Sequence, residues 1–384
     1  MCKARILCAS KAHDIRDYDL NDVKAKPFRV ALIISENTLA EYSMMLQNLL
    51  VGLAAESVQV ALVCPPGGDM DSIVCGPVEM IRHPAIDLPL TDRLSRGALV
   101  RRLAEFEPAV LHCLCQTRAP LAVYLSRQLD IPYLLTISAL QKRWRPFAGL
   151  SGRCAGIIAP APSIAANIAQ FQSRLSDRIE QINVGTFVAE EICCFSQPSR
   201  IATIVLAHPF DNIDDLENLF NAIRQMILNE YEFLTLVMGG GRGERKLREL
   251  IAALDLLRTV TIVPMMRPHR SVFAAGDIFV QPRPNSAFNP FLLEAMSVGA
   301  AVAACRGGVD DLIVEDTTAV VFDPDDERSI AGALTKLLGK REFARQIAKA
   351  GQEYLRANRS VSEMVVSMVK IYHKARQWCE TSNQ

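Results

Sequence analysis

Much that would settle a function at a glance is missing from this chain of 384 residues. It has no net charge, with 42 Lys and Arg against 42 Asp and Glu. The basic excess of a general nucleic-acid binder is therefore absent, and no nucleic-acid partner is expected. No apolar run approaches the roughly 18 residues that span a bilayer. Met1 to Leu20 mixes Lys, Arg and Asp without a continuous apolar core, so no secretory signal is expected there. The 11 cysteines form no CxxC pair and no Cys/His grouping of zinc-finger spacing; Cys113 and Cys115 lie two apart, and Cys193 and Cys194 are adjacent. Buried free thiols in a reducing cytoplasm are the expectation, with no metal site. There is also no Ser-His-Asp order, no Walker-type loop, no HExxH and no short repeat.

Half the residues are hydrophobic and 22% are charged, so sizeable cores can be buried, and the length suits two or three domains. The first 27 residues are polar and lack a clear period, as in an extension. From Phe28 the pattern becomes regular. Arg29–Ile34 reads as a strand, Glu41–Leu53 as a helix and Val58–Val63 as a second strand. Strand and helix keep alternating through Ala109–His112, Tyr133–Ile137 and Gly156–Ala159. A Cys-rich stretch ending at Pro198 and Ser199 reads as a linker. The alternation resumes with Ile201–Leu206 and Leu234–Met238, and the chain from Ser329 is almost all helix. The pattern predicts two α/β domains, each a doubly wound parallel sheet, over residues 28–195 and 196–384, facing a central cleft. Such folds bind ligands at the carboxyl ends of their strands.

A few positions carry chemistry. Gly239, Gly240 and Gly241 lie between a strand and a helix, where backbone amides can cradle a phosphate, though a tight turn explains them equally. Arg242 and Lys246 follow, as phosphate partners or as plain surface charge. Asn289 and Pro290 form a helix start, and Glu294 sits in the apolar helix behind them. A buried carboxylate there needs a partner, either a ligand's hydroxyl pair or a structural group. His112 closes a strand and faces the cleft or is a satisfied core histidine. Asp323-Pro324-Asp325 reads more readily as a turn than as a metal pair.

The C-terminal half then resembles a known family, the retaining glycosyltransferases of family four, also called group 1. The resemblance rests on Ala274-Ala-Gly-Asp-Ile-Phe-Val-Gln-Pro282, on Asn285 to Ala304, on Arg306-Gly-Gly-Val-Asp-Asp311 onward and on Val321-Phe-Asp-Pro-Asp-Asp326. It runs from Ile201 to Ala375; the first half matches in pattern alone. It implies the GT-B architecture, two Rossmann-like domains with the last helix, from about residue 360, packing back on the first. The first domain would hold the acceptor and the second the nucleotide sugar. It also implies a hexosyl-type enzyme that moves a sugar from a nucleotide diphosphate sugar to a glycan, polysaccharide or lipid-linked acceptor with retention, using no metal or cofactor. By that resemblance Glu294 holds the nucleotide ribose, and Phe288, Asn289 and Phe291 hold the sugar and diphosphate; the glycine run Gly239, Gly240 and Gly241 with Arg242, read above as a phosphate cradle, is the further expected binding segment. His112, Ser286 and Glu294 become the expected catalytic positions.

The departures are equally specific. Ser286 replaces the first Glu of the family's pair, Asn289 replaces a glycine, and Pro290 removes a backbone donor. Ala207 to Ile213 contains neither the Arg nor the Lys that neutralises the diphosphate, and has only His208. Ser35 to Ala40 replaces a glycine-rich turn. Arg242, Lys246, Arg283 and Arg306 are the candidates to compensate. Two readings follow: a divergent glycosyltransferase, or a catalytically inactive partner or regulatory subunit. The cluster Lys142, Arg143, Arg145 and Arg153 is a solvated loop or a contact for anionic lipid at the inner membrane surface.

Overall fold

The computed structural model describes residues 27–66, 73, 76–83, 92–141, 153–211 and 213–382. Two parallel sheets dominate. The first has seven strands: β1 (Arg29–Ile33), β2 (Gln59–Cys64), β3 (Val78–Arg82), β4 (Val110–Cys113), β5 (Tyr133–Thr136), β6 (Cys154–Ala159) and β7 (Ile179–Gln181), in the order β3-β2-β1-β4-β5-β6-β7. The second has six: β8 (Ala202–Ala207), β9 (Phe233–Met238), β10 (Val260–Val263), β11 (Ile278–Gln281), β12 (Ala301–Ala304) and β13 (Val320–Val321), in the order β10-β9-β8-β11-β12-β13. Central strands such as β4, β5, β11 and β12 are buried along their whole length, which is why they read as short continuous apolar runs. The edge strand β3 escapes a sequence reading because its residues are only partly covered and its pattern is polar.

The expected helix at 41–53 is two helices. Ser35 caps the first, Glu36–Glu41, through a reciprocal pair with Thr38. The chain bends at Tyr42 and continues as Ser43–Ala55. That bend places Glu41 and Tyr42 at the carboxyl end of β1, at the mouth of the cleft.

The chain crosses between sheets twice. The connector after β7 lies over the end of the helix Pro290–Ser297, where the amides of Ala189, Cys193 and Cys194 donate to the carbonyls of Ser297, Val298 and Gly299. The final helix, Val361–Ser382, returns to the first sheet. Its stripe of Val361, Met364, Val365, Met368, Ile371 and Tyr372 joins the core formed by β1, β2 and the helix Ser43–Ala55. Close approach explains the glycine inside that helix: a Cβ on Gly52 would stand 2.2 Å from Val365 Cγ2. No helix among the described residues is long and apolar enough to cross a membrane. Of the basic cluster, only Arg153 lies within the described residues, and it pairs with Asp130.

Candidate functional site

The carboxyl ends of the two sheets face each other, and the described cleft is closed by the chain itself. Residues 285–288, between β11 and the helix Pro290–Ser297, meet residues 138–140, which follow β5. Ala139 and Ala287 form an antiparallel bridge. The Phe288 amide donates to the Ser138 carbonyl at 2.8 Å, and the Leu140 amide to the Ser286 carbonyl at 2.7 Å. Tyr42 adds a third tie, its phenol donating to the Phe288 carbonyl at 2.8 Å. Further along the cleft, Asp311 accepts from the Ser163 amide at 3.0 Å at the start of the helix Pro162–Phe171.

This bridge divides the cleft into two chambers of about 240 Å³ each. One lies at the head of the helix Pro290–Ser297, walled by Ala207, His208, Gln281, Arg283, Asn289 and Phe291. The other lies in the first half, walled by Asn37, Cys115, Gln116, Thr117, Thr136 and Ser138. Glu41 and Ala287 border both.

The helix-head chamber has little positive charge to offer. Arg283 is the guanidinium that lines it among the described residues, and it is tied to Asp325 and donates through Nε to the Asp215 carbonyl at 3.1 Å. His208 Nδ1 lies 2.6 Å from the Pro209 carbonyl, and burial pulls its pKa below the ordinary value, so the ring is neutral. Asn289 caps the helix with its side-chain oxygen, accepting from the Phe291 amide at 3.0 Å and the Leu292 amide at 3.2 Å. Those amides are thereby spent inside the chain. Asn289 Nδ2 donates to Gln281 Oε1 at 2.9 Å, which leaves the buried Gln281 Nε2 without a partner in the wall of the chamber.

Glu294 is 4% exposed and lines neither chamber. Its Oε1 accepts from Thr186 of the connector at 3.3 Å. Arg270 Nη1 stands 4.0 Å from Oε2, an ion pair too long for a hydrogen bond, so Oε2 is a buried acceptor with no donor. Burial raises its pKa to about 6, with Arg270 and the Thr186 hydroxyl pulling the other way.

His112 needs correction. It is fully buried, with Nδ1 2.8 Å from Tyr372 Oη and Nε2 2.8 Å from Thr136 Oγ1. Both nitrogens are satisfied and the ring lines neither chamber, although its partner Thr136 does line one. Burial lowers its pKa to about 3. The unfolded chain therefore takes up a proton near the ordinary 6.5 that the fold refuses. His112 contributes stability above that value, and the contribution is lost as the pH falls from about 6.5 toward 3. A His112→Gln variant is expected to flatten the acid-side decline of the denaturation midpoint. A decline as steep as the parent's would show that His112 does not cause it.

Ser286, expected at the reacting centre, is also displaced. It is exposed and lines neither chamber, and its contribution is the carbonyl that Leu140 holds. The glycine turn stands behind the chamber wall rather than in it. A Cβ on Gly239 would lie 2.2 Å from the His208 carbonyl, so packing explains that glycine, and Gly241 sits at a positive φ, whereas a Cβ on Gly240 would meet open space. Arg242 and Lys246 are exposed. Arg306 is exposed beside Glu315. Asp323 accepts from the Asp325 amide at 2.9 Å, the geometry of a turn. Among the described residues, no group of three or more His, Cys, Asp or Glu is placed to hold a metal.

Family models match both halves of this cleft. The model described as glycosyl transferases group 1 matches residues 201–340, and the glycosyl transferase 4-like domain matches residues 42–184. The chain belongs to the group 1 glycosyltransferase family. Its sequence is 40% identical over 85 residues to the sulfoquinovosyl transferase SQD2 of Arabidopsis thaliana, covering 21% of this chain and 17% of that protein. It is 26% identical over 184 residues to a D-inositol 3-phosphate glycosyltransferase of Salinispora tropica, covering 46% of this chain and 38% of that protein. The matches thus span less than half the length of either relative. A glycosyltransferase from Rickettsia africae superposes with a TM-score of 0.74 at 16% identity, over 91% of this chain and 99% of that one. Anabaena HepE in complex with UDP and glucose superposes with a TM-score of 0.71 at 13% identity, over 89% of this chain and 98% of that one. At these identities the two structures establish the GT-B fold.

Sequence reasoning missed four residues that shape the cleft: Glu41, Tyr42, Gln281 and Arg359. Arg359 is 2% exposed, donates to the Pro160 carbonyl at 2.9 Å and lies over the Phe288 ring. A polar residue gives no periodic signal, so nothing in the sequence marks these four.

Proposed function

We propose that this protein transfers a hexosyl group from a nucleotide diphosphate sugar to a glycan, polysaccharide or lipid-linked acceptor, with retention, at the cytoplasmic side of a membrane. Residues 28–195 hold the acceptor and residues 196–384 the donor. One observation carries the reading: the two family-matched segments meet at one cleft, where Ala139 of the first forms a bridge with Ala287 of the second. The similarity to a sulfoquinovosyl transferase and a D-inositol 3-phosphate glycosyltransferase, and the UDP and glucose bound by the Anabaena protein, support a sugar-nucleotide donor. On this reading the bridge between Ala139 and Ala287 opens to admit the donor, and exposed Arg242 and Arg306 meet its diphosphate at the rim.

A second reading, a catalytically inactive partner subunit, is favoured by a specific observation. The cation lining the helix-head chamber is already paired, and the amides of Phe291 and Leu292 are already capped. A missing cation at a developing phosphate charge costs about a hundredfold or more in rate, by analogy with a lost oxyanion donor. Calorimetric titration with UDP, GDP and ADP separates the two. Micromolar binding of one of them, with turnover of the matching nucleotide sugar, is expected. A folded protein that binds none of the three would transfer the assignment to the inactive reading.

A further inference from the structure

We propose that Glu41 is the substrate-contacting and specificity-determining carboxylate of the cleft, accepting a hydrogen bond from a hydroxyl of the sugar held between the two chambers. This rests on the glycosyl-transfer reading above.

Position is the first argument. Glu41 ends the helix Glu36–Glu41 and borders both chambers, the only ionisable residue to do so among the described residues. A group passing between the donor and acceptor sides must pass this side chain and Ala287.

The second argument is its unmet hydrogen-bonding capacity. Among the described residues, no hydrogen bond or ion pair engages the Glu41 carboxylate. Burial alone pushes its pKa up, with no compensating partner. A half-buried carboxylate without a protein donor is an acceptor that a ligand hydroxyl can satisfy, and such a charge-assisted bond is stronger than a neutral one.

Third, the backbone that carries the carboxylate is held in place. At one end of its helix Ser35 and Thr38 cap each other; at the other, the neighbouring Tyr42 phenol is anchored on the Phe288 carbonyl. A group fixed by its surroundings loses little freedom on meeting a ligand.

The surroundings select the ligand. Among the described residues, the first-half chamber is lined by Asn37, Gln116, Thr117 and Ser138 and by no Lys or Arg, while the other offers the spare donor of Gln281. Amide and hydroxyl groups beside one carboxylate suit a polyhydroxylated ring, whereas a second phosphate would be repelled. Ser286, where the family resemblance places a carboxylate, is exposed and lines neither chamber. Glu41 brings a carboxylate to this space from the opposite domain.

The test compares Glu41→Gln, which keeps the shape and removes the charge, with the parent protein. Both are titrated with UDP, GDP and ADP and with UDP-glucose, GDP-mannose and ADP-glucose, and release of nucleoside diphosphate from the sugar forms is followed. The expected result is an unchanged affinity for the free diphosphate and a loss of about 10- to 100-fold in kcat/KM for the matching nucleotide sugar. Unchanged turnover in Glu41→Gln would overturn the proposal and leave the glycosyl-transfer reading standing. A parallel loss of diphosphate affinity would overturn it too, showing a structural role. If the folded parent protein binds none of the six probes, the reading fails and the proposal falls with it.

Discussion

Replacing Arg359 with alanine is expected to lower the unfolding free energy by about 3 kcal/mol, the scale for losing a large buried side chain with its hydrogen bond and ring contact. Arg359 lies between the last two helices, Arg341–Asn358 and Val361–Ser382, where the chain returns to the first sheet. Its Nη1 holds the Pro160 carbonyl beyond β6, its guanidinium lies 5.5 Å from the centre of the Phe288 ring, and its own carbonyl accepts from the Thr186 amide at 2.9 Å. The side chain thus ties together the first sheet and the loop before the helix Pro290–Ser297, and its backbone holds the connector. Burial also disfavours its charge, so part of the stabilisation is already offset, and Nε has no partner. Arg359→Met separates the contributions. It refills much of the volume without the charge and is expected to recover more than half of the loss. Denaturation midpoints measure both variants. An alanine variant within about 0.5 kcal/mol of the parent, the usual spread for surface changes, would refute this account.

The second large effect belongs to Glu294→Gln: on the glycosyl-transfer reading, the opening that admits the donor brings a ribose hydroxyl to its unpartnered Oε2, so the change is expected to weaken nucleotide binding by about 10- to 100-fold, the scale of a lost charge-assisted hydrogen bond. The same change should leave stability equal or improved at neutral pH. The sign follows from its protonation. In the fold Glu294 releases its proton near 6, in the unfolded chain near the ordinary 4.5. Between those values the fold holds the extra proton, so stability falls as the pH rises through that window. Below it the group costs nothing; above it the charged form costs roughly 2 kcal/mol at 1.36 kcal/mol per unit. Glutamine removes that cost along with the attraction to Arg270. The pH dependence between about 4.5 and 6 should therefore lose the Glu294 component, which opposes that of His112. Calorimetry with the bound nucleotide and midpoints at several pH values check the two halves separately. Unchanged nucleotide affinity would reduce Glu294 to a pin between Thr186 and Arg270.

Glu294 also shows how far a sequence goes. Its place in an apolar helix behind Asn289 and Pro290 was legible, because a cap and a proline at the first helical position are local chemistry. That its carboxylate meets the connector rather than a chamber was not, since Thr186 lies 108 residues away in the chain. His112 failed for the same reason. A histidine ending a strand looks alike whether it faces a cleft or Tyr372, and Tyr372 is 260 residues distant. Glu41 read as the first residue of a helix; the bend at Tyr42 made it the last residue of another, at the edge of both chambers.

Most of the strands and helices, the two-sheet architecture and the family motifs of the second half were determined by the sequence alone. They follow from apolar runs of strand length, helical periodicity and turn residues, all of which act over a few residues. The lack of a cation after β8 was equally plain, because an absent side chain cannot be supplied by folding. The tertiary structure decided what fills the cleft. Residues 138–140 and 285–288 are joined through their main chains, and any residue but proline can offer such an amide, so side-chain chemistry could not announce the bridge. Which carboxylates are satisfied and which remain open depends on partners brought from distant parts of the chain, and those are set by packing.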